Sequence, residues 1–144
     1  LYVLLEDTEI DMTIFFRKLK DLDINIPTLN HFDEAFYNSE KKQKNTIKCK
    51  NWLKRYTDRV RTDTLGENAR KRLMAAANPN FVLRNYLVQQ AIELAENNDF
   101  SGIEELMKVI RKPYEEQPSK NHLFVRRPDW AKSKPGCSML SCSS

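Results

Sequence analysis

Three cysteines, two histidines and a dense run of lysines and arginines are the residues of this 144-residue chain whose chemistry could go beyond packing. Cys137 and Cys142 lie in the closing GCSMLSCSS, where flanking Ser and Gly would leave both thiols open to an oxidant or to another thiol. Lys132 and Lys134 nearby would modestly favour the thiolate. Spacing by itself favours a tail with incidental cysteines over a redox pair. Cys49 differs, because it shares a helical stripe with Trp52, Leu53, Tyr56 and Val60 and reads as a small buried apolar residue. An odd number of cysteines without a small-scaffold spacing argues against a secreted disulfide framework.

Other chemistries fare worse. A metal site needs clustered ligands, but His31 and His122 are far apart and the cysteines form no C-x₂-C pair. A phosphate cradle needs a glycine-rich loop opening a helix, and Gly66, Gly102 and Gly136 are the only glycines. Serines, histidines and aspartates occur without any local signature of a nucleophilic triad.

Charge is more informative in its distribution than in its sum of +4. Residues 1–39 and 73–118 are acidic on balance, whereas residues 40–72 carry 12 basic side chains against 4 acidic ones. Lys41, Lys42, Lys44, Lys48, Lys50, Lys54, Arg55, Arg59 and Arg61 thus lie between two acidic segments. Intramolecular complementarity, a solvated face and an anionic partner all fit such a segment, the solvated face best. Nucleic acid is excluded as the partner, since Trp52 and Tyr56 lie on the apolar stripe, where burial would deny them to bases.

The elements that must position these residues are helices. Thr8 and Asp11 precede Met12, Phe15, Phe16 and Leu19 at helical steps, predicting a helix over about 9–20. Asn30 opens a short one with Phe32, Ala35 and Phe36, and the stripe from Cys49 to Val60 marks another. Thr64 with Glu67 reads as a capping box for Leu65, Ala69, Leu73 and Ala76. Asn78 as cap and Pro79 as first residue predict the strongest helix, to about Glu96, with Leu83, Leu87, Ala91 and Leu94 on one face. Ser101 with Glu104 then starts a helix whose Ile103, Leu106, Met107 and Ile110 face inward, stopped by Pro113. Beyond it, four prolines at 113, 118, 128 and 135 predict an extended tail that Phe124 and Trp130 pin to the body. The expectation is an all-α fold of five or so amphipathic helices, with residues 1–112 as the helical region and 113–144 as the tail. No run reaches the roughly 18 apolar residues of a membrane span. The apolar start at Leu1, without Met, reads as an internal point of a longer protein.

The wording of these helices resembles one family. DMTIFFRKL, WLKRYTDRV, NPNFVLRNYLVQQAIELA, PYEEQP, RRPDWA and the final SCSS occur in the order found in selenoprotein O proteins. That resemblance implies the C-terminal helical part of a kinase-like fold, packed on an upstream kinase-like lobe. It also implies transfer of AMP from ATP to hydroxyl side chains of protein substrates with magnesium, in mitochondria if eukaryotic and in the cytoplasm if bacterial. No catalytic, nucleotide or metal residue of the family matches a position here, so this segment alone is expected to be inactive. By position Cys142 matches the family's redox-active Cys or selenocysteine. A local partner would fall at 139, which is Met139, leaving Cys137 or a cysteine outside this chain as its partner.

Two other readings compete. One is a stand-alone helical module that binds an acidic partner through residues 41–61. The other is a thiol-redox protein working through Cys142.

Overall fold

A computed structural model describes residues 1–137, and the chain separates into two compact units, Leu1–Asn78 and Pro79–Ser144. The all-α expectation holds. Among the described residues the one departure is a single antiparallel bridge between Ile10 and Phe36.

In the first unit, α1 (Tyr2–Thr8) stops where Glu9 takes a left-handed conformation and its N–H turns back to Glu6. Asp11 then caps α2 (Met12–Leu19), accepting from the Ile14 N–H at 3.1 Å, while its other oxygen accepts from the Tyr37 hydroxyl at 2.8 Å. The carboxylate is thus buried but bonded on both oxygens. Thr8, read from sequence as part of this cap, instead ends α1 and donates back to Leu4. A 3-10 segment, Leu29–Ala35, follows, with Thr28 as its cap.

The basic stretch makes α3 (Ser39–Lys44), capped by Asn38, and α4 (Thr46–Arg61), whose buried side is Cys49, Leu53 and Thr57. Phe15 is the aromatic hub, with ring centroids 4.8 Å from Phe32 and 5.6 Å from Trp52. Ile14, Leu22, Phe32 and Ala35 are almost wholly enclosed around it.

Helix α5 (Glu67–Ala77) begins after Gly66, and no side chain caps it, so the capping box expected from Thr64 does not form. Its far end is closed from across the unit. Arg17 is buried, and its Nη1 donates to the carbonyls of Ala75 at 2.8 Å and Asn78 at 2.9 Å. These are carbonyls that a helix end leaves without an intrahelical partner.

The second unit is built on a helical hairpin of α6 (Asn85–Glu96) and α7 (Ser101–Ile110). Asn98, at positive φ, makes the turn, and Asp99 accepts from the Ser101 N–H at 2.9 Å, replacing the expected Ser101–Glu104 box. The hairpin is tight at Gly102, where a Cβ would lie 3.0 Å from Leu94 and 3.2 Å from the Ala91 backbone.

Three expectations are corrected here. The helix predicted from Asn78 begins at Asn85, because Asn78 ends α5 and the backbone N–H groups of Asn80 and Phe81 donate to the Pro113 carbonyl at 2.7 and 3.1 Å. A proline also biases the residue before it toward extended backbone, which Asn78 adopts. Next, α7 buries Val109 and half-buries Leu106, leaving Ile103 and Met107 exposed, since it meets α6 along the Gly102 edge. Finally, residues 113–137 are not an extended tail. They form 3-10 turns at Pro118–Leu123 and Asp129–Lys132, and Leu123, Ala131 and Cys137 enter one core with Phe81, Tyr86, Leu87 and Val109. Prolines forbid a regular helix there, yet the apolar side chains between them still bury.

Replacing Arg17 by Met keeps most of its apolar bulk but strips both carbonyls of their donor. The expected loss is about 2–3 kcal/mol of unfolding free energy, with Arg17→Lys losing less. Urea denaturation followed by helical circular dichroism reads this. Unchanged stability in Arg17→Met would contradict the role assigned to the bond.

Candidate functional site

Among the described residues, the thiols singled out by sequence are not arranged for reaction. Cys137 is free and 3% exposed, enclosed by the second unit's core. That reverses the exposure expected for it. Gly136 before it adopts φ 81°, a left-handed conformation that favours glycine, and a Cβ there would have to displace the end of the Gln89 side chain. Lys132 and Lys134 are engaged with Asp129 and Glu93 at 2.6 Å each. Lys134 also lies over the Trp130 ring. Cys49 is free and buried as expected; burial pushes its thiol up, partly opposed by Lys42 and Lys48. Cys142 and Met139 lie outside the described residues.

The histidines serve structure. His31 Nε2 donates to the Lys18 carbonyl at 2.8 Å near the end of α2, its ring edge-on to Phe32. His122 sits 3.4 Å from Glu105, which also accepts from Lys120 at 2.5 Å. Lys120 holds the Glu105 carboxyl below its ordinary value, desolvation opposing it. Glu105 and His122 line a cavity of about 420 Å³ in the second unit with Tyr86, Leu106 and Trp130. No three of His, Cys, Asp and Glu converge on a point that could hold a metal, among the described residues.

The basic segment has a definite geometry. Lys41 pairs with Glu9, Lys42 with Asp33 at 2.6 Å, and Lys48 with Asp7 at 3.0 Å, so three of its cations answer the acidic segment of residues 1–39. Arg59 pairs with Asp63 and Arg61 with Asp58. Lys44, Lys50, Lys54 and Arg55 form no ion pair among the described residues. Trp52 and Tyr56 are half-buried and stacked on each other at 5.4 Å.

One arrangement was missed from the sequence. Lys50, Lys54, Thr57, Asp58 and Arg61 form one wall of an open cavity of about 450 Å³, closed opposite by Pro27, Thr28 and Leu29 and floored by Leu53. The four-residue step from Lys50 to Lys54 was readable; the opposing wall, more than twenty residues earlier, was not.

Relatives place the chain in a class. It is 46% identical over all 144 residues to the Protein nucleotidyltransferase YdiU of Xanthomonas axonopodis pv. citri (strain 306) and to that of Aromatoleum aromaticum (strain DSM 19018 / LMG 30748 / EbN1), in each case spanning 28% of the relative. The protein of that name from Azoarcus sp. (strain BH72) is 46% identical over 136 residues, 94% of this chain and 26% of its own length. The chain thus matches bacterial proteins named as protein nucleotidyltransferases over little more than a quarter of their length. The family model described as Protein adenylyltransferase SelO matches residues 1–111, and the chain belongs to that family.

With Cys142→Ser, the two remaining thiols are both buried. They are expected to react with an aromatic disulfide reagent on the order of a hundredfold more slowly in the native chain than in urea. Fast native labelling of one equivalent that disappears in Cys137→Ser would mean that Cys137 opens readily and is available for exchange.

Proposed function

We propose that this chain is the helical C-terminal part of a protein adenylyltransferase that moves AMP from ATP to Ser, Thr or Tyr hydroxyls of other proteins. The observation that carries the reading is the match along the whole chain to protein nucleotidyltransferases that are several times longer. In this reading a kinase-like lobe elsewhere in the polypeptide does the chemistry, and α1–α7 pack against it. Exposed apolar side chains such as Tyr2 and Val3 on α1 and Phe100, Ile103 and Met107 near α7 would suit such packing.

ATP and magnesium are assigned to that other part. The described residues do not fit them: they hold no cluster of three potential metal ligands and no glycine-rich phosphate loop. No step of the transfer is therefore written through this chain's own side chains. The bacterial relatives favour a cytoplasmic setting over a mitochondrial one.

Cys142 is the proposed redox regulator. Its disulfide would form from two thiols, the two electrons and two protons passing to a disulfide oxidant such as oxidised glutathione. With Cys137 enclosed in the core, a cysteine elsewhere in the polypeptide is the better partner.

The test compares this 144-residue chain with the upstream-extended protein, using labelled ATP, magnesium and a mixture of protein acceptors. The extended protein should transfer AMP, whereas the chain alone should neither transfer it nor bind ATP. Tight, magnesium-dependent ATP binding by the chain alone would overturn the placement of the active site. In the extended protein, oxidation should change the rate severalfold, and Cys142→Ser should abolish that change. Equal redox responses with and without Cys142 would remove the regulator and leave the transferase reading intact.

A further inference from the structure

The cavity between α4 and the Pro27–Leu29 segment brings uncompensated positive charge to a concave site in the first unit. Five of the nine cations between Lys41 and Arg61 are neutralised by acidic side chains of the same unit. Of the four that are not, Lys50 and Lys54 lie one turn apart on the cavity wall, with Cβ atoms about 5–6 Å from each other. Asp58 is the one acidic residue in the lining, and it is tied to Arg61 at 3.0 Å. Arg61 in turn donates to the Ile24 carbonyl at 2.5 Å, so that pair is fixed and contributes no net charge. What remains is two free ammonium groups beside the Leu53 floor, with Pro27 and Leu29 opposite.

We propose that this cavity is a docking site for an acidic peptide segment, with carboxylates on Lys50 and Lys54 and an apolar side chain against Leu29, Leu53 and Pro27. An extended peptide rises about 3.3 Å per residue, so acids two positions apart match the separation of the lysines. Half-buried Pro27 opposite the lysines offers an apolar contact that a peptide side chain can use and a bare inorganic anion cannot. Resting on the transferase reading only for its owner, the segment belongs to a protein substrate, and docking acts on recruitment and not on the chemical step.

The probe is a capped twelve-residue peptide of Asp and Glu around a central Leu, titrated into this chain with amide chemical shifts as the readout. Its Asn/Gln counterpart and inorganic pyrophosphate are titrated in parallel. The acidic peptide should shift Leu29, Leu53, Lys50 and Lys54. Lys50→Gln with Lys54→Gln should weaken it about tenfold, whereas Lys44→Gln with Arg55→Gln, which removes the same charge elsewhere, should weaken it less than about twofold. Lys50→Arg with Lys54→Arg should restore most of the binding. Equal losses in the two Gln pairs would mean diffuse attraction and overturn the site. Tighter binding of pyrophosphate than of peptide would overturn the peptide assignment, and equal binding of the neutral peptide would overturn the role of charge. None of these measurements uses ATP, so they stand or fall apart from the transferase reading. In the extended protein, Lys50→Gln with Lys54→Gln should raise KM for an acidic substrate severalfold at unchanged kcat. A fall in kcat alone would contradict a docking role.

Discussion

The first unit depends on one buried cation. Arg17 reaches from α2 to the end of α5 and bonds the carbonyls of Ala75 and Asn78, joining residues about sixty positions apart. A guanidinium costs several kcal/mol to bury, and it stays charged at any working pH, so its donors must find oxygen wherever they lie. The carbonyls at a helix end need donors just as much. Nη1 answers both carbonyls at once. Because a shift of an ångström would orphan both sides, the pairing fixes where α5 stops. It also explains why Asn78 cannot open the next helix: its carbonyl is held by Arg17 and its N–H by Met74.

That constraint marks the limit of what the chain's text discloses. Periodicity found the helices, because an amphipathic face is written in residues three and four apart. Asp11, Phe15 and Leu19 were legible as the cap and core of α2, and Cys49 as a packed thiol. The start of α6 was not. Asn-Pro is a good helix opening locally, but the N–H groups of Asn80 and Phe81 are drawn to the Pro113 carbonyl over thirty residues away, and nothing in a local window carries that bond. The inward face of α7 was misread for a related reason. Hydropathy chose Ile103 and Met107, while the close approach at Gly102 turned the helix so that Val109 went inside. Cys137 was judged by its Ser- and Gly-rich neighbours, although Gly136 serves to turn the chain into the core.

Charge follows the same division between local and distant information. The basic run was plain in the sequence, and so were the acidic residues before it. That Glu9, Asp33 and Asp7 would meet Lys41, Lys42 and Lys48 depends on α1, the Leu29–Ala35 turn and α3–α4 coming together. Exposed pairs of this sort add little stability, typically under about 1 kcal/mol each. Their effect is on what is left over. By neutralising the start of the basic segment and tying Arg59 and Arg61 locally, they confine its free positive charge to a few positions, of which Lys50 and Lys54 face a concave surface.

The chemistry of the family and the architecture of this chain are therefore separable. A transferase needs groups poised on a nucleotide, and such groups are recognisable by convergence: carboxylates around a metal, backbone N–H groups around phosphate. The polar side chains here converge on something else. Arg17, Asp11, His31 and Gln117 all bond to backbone or to neighbouring side chains at helix ends, including the Val109 and Lys112 carbonyls at the close of α7. Polar groups used in that way hold shape. Side chains committed in that way fix the positions at which the segment presents its surfaces. The free lysines of α4 and the exposed apolar side chains of α1 and α7 are the surfaces it presents.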